Sequence, residues 1–221
     1  MVERNADYYS THAPTVNVEN VTSSDDNAII LQRLRDNDSD LKSLWIAQEI
    51  DDDDPSFEFV VREGDDLGWL GYFIGGSTTV SELNIMYLPQ EKWRSLAFIR
   101  ELVSNRSIQK LVVSTDLGDG FHSLGTLLKS DTLVTLEFNP YGYIFNTIEL
   151  QRARDIAIML GQQNQRNHLT SLVFQEIRVS GEAMAEIAPA LSAHPQLEKL
   201  DLYWDTAPGG RLGNVALGRM L

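Results

Sequence analysis

Hydrophobic residues along this chain fall into one recurring phrase, Leu-x-x-Leu-x-Leu, with Ile, Val or Phe standing in for Leu. It begins at Leu41, Val80, Ile108, Leu133, Leu169 and Leu197, so the units are similar but not equal in length. Positions four and six of the phrase, such as Leu44 and Ile46 or Leu200 and Leu202, point inward from a short strand. The first position turns into the core from the preceding loop. Between the phrases lie stretches with apolar residues at steps of three and four, the helical period. These predict helices over Leu67–Ile74, Trp93–Val103, Phe121–Leu128, Glu149–Leu160 and Glu182–Leu191. A strand and a helix in every unit, with the strands returning in one sense, predict a parallel sheet with helices on its other side. A repeat of this length, a few tens of residues, predicts a stacked solenoid.

The ends follow a different pattern. Residues 1–24 are polar and lack periodicity, and are expected to form a disordered tail. The array is expected over 25–221. It opens with a helix whose Ile30, Leu31 and Leu34 share a face, behind the capping residues Ser23 to Asn27. A final helix, residues 211–221, ends on apolar side chains without a polar cap, as expected for a piece of a longer array.

With six phrases in register, each followed by a helical stretch, residues 28–221 resemble the leucine-rich repeat family, in its ribonuclease-inhibitor-like subfamily. The resemblance implies an α/β fold: a curved right-handed β/α solenoid, or horseshoe, with its parallel sheet on the concave side and helices on the convex side. The family places Asn or Cys three residues after the phrase, as a ladder of backbone hydrogen bonds. Here that place holds Glu49, Leu88, Asp116, Tyr141, Ile177 and Asp205: no Asn appears, Asp can accept backbone N–H bonds in part, and Leu88 and Ile177 can only pack.

Charge sharpens the picture. The net charge is −14, and residues 1–66 carry 17 acidic against 5 basic side chains. That field repels nucleic acid and anionic lipid and favours a basic partner. No apolar run reaches the roughly 18 residues of a membrane span. The start has no secretory pattern, and there are no cysteines. Both point to an intracellular, cytoplasmic setting. The sequons at Asn20, Asn37 and Asn105 are read as chance in that setting.

Catalytic and cofactor motifs do not emerge. There is no nucleophile elbow and no phosphate-binding loop, and Gly68, Gly71, Gly75 and Gly76 fit no dinucleotide fingerprint. Those glycines are expected to let one helix pack closely. His12, His122, His168 and His194 are too scattered for a metal. His168 and His194, each just before a strand, suggest a loop role in the repeat. No enzyme activity, cofactor or metal is therefore expected.

Two surfaces remain as candidates for binding. Residues at positions five, seven and eight of the phrase are expected on the concave wall: Trp45, Asn84, Met86, Tyr87, Glu137, Glu176, Asp201, Tyr203 and Trp204. Large aromatics of this kind dominate interface energy. The two longest units carry insertions after the strand, which map to one rim of a solenoid. One holds Asp51, Asp52, Asp53 and Asp54, and reads either as a solvated acidic loop or as a docking loop. The other holds Tyr141, Tyr143 and Phe145, either as a contact patch or folded over the core. The expected function is a protein-interaction scaffold. The alternative is an activator of a small GTPase, built on the same repeat and acting through rim loops.

Overall fold

A computed structural model describes residues 6–49, 57–115, 117, 123–129, 131–139, 147–161, 168–192, 194 and 196–204. Six phrase strands form its frame: β1 (Ser43–Ala47), β3 (Glu82–Ile85), β4 (Lys110–Val113), β5 (Thr135–Phe138), β7 (Ser171–Val179) and β8 (Lys199–Trp204). Two short strands, β2 (Phe57–Val60) and β6 (Thr147–Ile148), complete one parallel sheet in the order β2-β1-β3-β4-β5-β7-β6, with β8 also on β7.

The six phrases lie in register. Leu44, Leu83, Leu111, Leu136, Leu172 and Leu200 are successive cross-strand partners. Ile46, Ile85, Val113, Phe138, Phe174 and Leu202 form the second such row. A one-residue slip would turn a whole strand's inward side chains to the opposite face, so burial fixes the register. Within the second row the rings of Phe138 and Phe174 stack 5.2 Å apart.

The inward rows share one core with the helices. These are α2 (Asp25–Arg35), α3 (Leu67–Gly76), α4 (Lys92–Leu102), α5 (Leu150–Gly161) and α6 (Gly181–Leu191), close to the helices the period predicts. Asp66 and Ser180 cap α3 and α6, each accepting a hydrogen bond from an N–H of the first turn. Between β4 and β5 the expected helix lies partly outside the described residues, which end there in a 3-10 turn, Leu127–Lys129. The terminal helix over 211–221 lies outside the described residues altogether.

Residues 6–24 are not the disordered tail that their polarity suggests. A helix α1 (Ala6–His12) packs on α3. Tyr9 is buried in a T-shaped contact with Trp69, with ring centroids 5.1 Å apart, and its hydroxyl donates to Asp66. A Cβ on Gly68 would overlap that hydroxyl, so the glycine makes room for α1. A few large rings, rather than a periodic pattern, hold this segment, and a search for periodicity misses it.

The insertion after β1 also does more than extend a loop. It supplies β2, the edge strand of the sheet. Asn27 of α2 covers that edge as a further strand would: its Nδ2 donates to Val60 O at 2.8 Å and its Oδ1 accepts from Val60 N at 3.0 Å. Beside it, Asp65 is buried and accepts from Ser23, Arg62 N and Asn27. Arg94 donates to the carbonyls of Arg62 and Asp65. Arg33 lies over the Phe57 ring, 3.9 Å from its centroid.

Polar side chains link neighbouring elements at the other end of the unit. Three residues before a phrase stand Asp38, Ser77, Asn105 and His194. All four bond into the turn from helix to strand. The Asp38 side chain accepts from Asp40 N, and its carbonyl accepts from Leu41 N. Asp40 N–H and the Arg33 guanidinium hold the Asp38 carboxyl below the ordinary carboxylate value. Ser77 Oγ accepts from Val80 N. Asn105 donates to Ile74 O and His194 Nε2 to Leu160 O, each a carbonyl at the last turn of an earlier helix. These contacts tie helix-end carbonyls, the kind left unpaired within the helix itself, to the turn of a later unit. Asn37, at φ 51, adds a link by accepting from Thr78 N at 2.7 Å.

Burial pushes the His194 imidazole down to about 4 from 6.5. Between these values the unfolded chain binds a proton that the folded chain refuses. Stability from this residue is therefore complete above about 6.5 and is lost as the pH falls toward 4. Melting temperatures of the native chain should decline across that window. His194→Gln, which keeps an N–H for Leu160 O, should flatten the decline, and an unchanged slope would count against His194 as its source.

Candidate functional site: the face of the sheet away from the helices

Alternation along the strands turns positions three and five away from the core. Position five builds one cross-strand row: Glu58, Trp45, Asn84, Val112, Glu137, Val173, Asp201. Position three builds a second: Ser43, Glu82, Lys110, Thr135, Ser171, Lys199. The second row was not among the positions read from the sequence, which were five, seven and eight. It brings two lysines to the face. Lys110 Nζ is paired with Glu82 Oε1 at 2.9 Å. The first row holds three carboxylates and no cation.

Exposure varies along the face. Trp45, Glu137 and Val173 are half-buried and Asp201 is exposed. Over β3 and β4 the face is closed: Asn84 is 3% exposed, Val112 4% and Ser114 1%. Position seven continues with Met86, half-buried, then Ser114, Asn139 and Gln175. Asn139 Nδ2 donates to Gln175 Oε1 at 3.3 Å.

Two expectations for this face need correction. Position eight does not point outward throughout. Thr115 lines a small apolar cavity with Val113, Phe138, Ile148, Ile156 and Ile177, on the helix side. Tyr87 packs partly against the core. The phrase ends there and the chain turns, so outward facing no longer follows from position. The row of position seven also breaks before β8. Tyr203 and Trp204 pair with Arg178 and Val179, after a register shift, rather than with Gln175 and Glu176. The backbone places Tyr203 and Trp204 at the end of β8 and Glu176 within β7. The rim residues Asp51, Asp52, Asp53, Asp54, Tyr141, Tyr143 and Phe145 lie outside the described residues.

Elsewhere the chemistry is sparse. Among the described residues no group of three or more His, Asp or Glu side chains converges to hold a metal. No described helix is long and apolar enough to cross a membrane. A groove of about 740 Å³ on the helix side runs between α1, α2, α3 and α4, with Tyr72 and Phe73 among its lining residues. Asn105 is buried with its amide fully engaged, which closes that sequon to modification.

No protein-family model matches the chain. No curated protein matches it. Among solved structures it is similar to "Leiomodin-1 Actin-Binding Site 2 (ABS2)", at a TM-score of 0.42 and 17% identity, over 90% of this chain and 91% of that one.

Proposed function

We propose that the chain is a non-catalytic scaffold of the leucine-rich repeat type, in the ribonuclease-inhibitor-like manner, that binds another protein across the sheet face. The observation that carries this reading is the pair of long outward rows in register, with no described helix packed on them. In this reading the units stack into a curved array, with the sheet on its concave side and the insertions on one rim. The first row offers a ring at Trp45 and carboxylates at Glu58, Glu137 and Asp201, a combination suited to a partner with a basic surface.

Photo-crosslinking tests the reading. A crosslinker at Val173, on the face, should capture a partner that one at Ile158, exposed on α5, does not. The double variant Trp45→Ala with Asp201→Lys should weaken that capture about tenfold or more while the chain stays folded. Equal capture from Ile158, or full capture by the double variant, would remove the sheet face as the binding surface.

A further inference from the structure

Among the described residues, four buried polar atoms have no hydrogen-bond partner: Trp69 Nε1, Arg94 Nε, Asn84 Nδ2 and Ser114 Oγ. Two of them have a local explanation. Trp69 makes a T-shaped contact with Tyr9 and stacks on Phe73 at 5.6 Å, so its indole is packed among rings. Arg94 uses Nη2 for two carbonyls, which hold the guanidinium in place. Asn84 and Ser114 have no such account, and they are neighbours on the sheet face. Asn84 pairs in register with Val112 of β4, and Ser114 is the next residue of the chain after β4 on the same face. Strand geometry puts their Cα atoms about 8 Å apart.

A buried donor without an acceptor is a cost that native structures rarely keep without reason. Asn139, beside Ser114 on the next strand, directs its amide to Gln175 instead. Around the pair stand Trp45, Met86 and Glu137, all half-buried. No described lysine or arginine shares the rows of positions five and seven.

Resting on the scaffold reading, we infer that Asn84 and Ser114 form the polar seat of the face, for an extended, basic segment of the partner. Its main-chain carbonyl accepts from Asn84 Nδ2, and the next polar main-chain group along the segment bonds Ser114 Oγ. A Lys or Arg of the segment pairs with Glu137. Spacing supports an extended strand, because like groups on one side of it recur at two-residue steps, a repeat close to the separation of Asn84 and Ser114. Entry requires the half-buried side chains above to part, which surface rotamers do within nanoseconds. The two vacant hydrogen bonds thus make the free chain less stable than it could be and become useful only in the complex.

The test uses the whole chain and a displayed library of random ten-residue peptides selected on it. Selected peptides should be rich in Lys and Arg. Asn84→Leu and Ser114→Ala should each raise the melting temperature by about 2–6 °C and weaken the selected peptides about tenfold or more. Glu137→Gln should weaken them and reduce their salt dependence. Variants that melt lower than the parent would show that the two groups are satisfied in the free chain, and would overturn the inference. Peptides lost on Trp45→Ala but kept on Asn84→Leu and Ser114→Ala would overturn the seat while leaving the scaffold reading intact. Selected peptides untouched by any of the variants, Trp45→Ala included, would overturn both.

Discussion

Gly71→Ala should destabilise the protein by about 2–3 kcal/mol, although the same exchange on an open helix surface is favourable. Alanine is the best helix former, and glycine costs up to about 1 kcal/mol beside it. At Gly71 that gain is overruled. A Cβ there would fall inside the Phe98 carbonyl oxygen and lie 2.9 Å from its carbonyl carbon. Those are main-chain atoms of α4, so no rotamer relieves the clash and the two helices must separate. Gly75, one turn on, meets the same helix, its Cβ 2.5 Å from Glu101 O. Gly76 supplies the internal control, because a Cβ there meets nothing within 4 Å and the residue takes no left-handed φ. Gly76→Ala should therefore be stabilising by about 0.5 kcal/mol. Denaturant melts of both variants decide the matter. If Gly71→Ala melts with or above the parent, α3 does not meet α4 through its glycines.

That contrast also shows what the sequence reveals. Four glycines in one helix were legible as a close-packing signal, but only the geometry separates Gly71 and Gly75 from Gly76. The strands and their register were legible because one phrase repeats, so each Leu of position four finds the next. β2 was not legible. It carries no phrase, and its edge is closed by Asn27 from α2, a helix that precedes even β1 in the chain. The docking of α1 rests on a gap at Gly68 rather than on any period. On the sheet face the outward rows follow from alternation as far as the strands run. Alternation says nothing beyond the strand ends, where Thr115 and Tyr87 depart from expectation, nor of the register shift that re-pairs Tyr203 and Trp204. Asn84 was legible as a face residue, but its missing hydrogen bond was not, because that depends on what every neighbour does with its own polar atoms. The polar position before four of the phrases was hidden by its variety. Asp, Ser, Asn and His do one job there by different bonds.

The strongest member of that set gives the other large effect. Asn105→Ala should cost on the order of 3–4 kcal/mol, or a fall of roughly 10 °C in melting temperature for a chain of this size. The residue is wholly buried. Its Nδ2 donates to Ile74 O at 2.6 Å and to Ser77 O at 3.1 Å, and its Oδ1 accepts from Ser107 N at 2.7 Å and Ile108 N at 2.8 Å. One carboxamide thus joins the end of α3 to the start of the phrase at Ile108, one unit further on. Truncation leaves the N–H groups of Ser107 and Ile108 without their acceptor, and removes one of the two donors that each of the Ile74 and Ser77 carbonyls receives, the others being Ser77 N and Ser107 Oγ. Asn105→Asp separates the two halves of the clamp. It keeps an acceptor for Ser107 and Ile108 but turns a second oxygen toward two carbonyls. Repulsion from those carbonyls and loss of water raise the introduced carboxyl's folded pKa above its unfolded value, since a protonated oxygen can again donate to Ile74. A raised folded pKa means that stability falls as the pH climbs through it. The deficit of Asn105→Asp against the parent should therefore be large at pH 7 and shrink toward pH 4, whereas that of Asn105→Ala should not change with pH. Parallel curves for the two variants would show that the donated bonds to Ile74 and Ser77 contribute little, and that the clamp works through its acceptor alone.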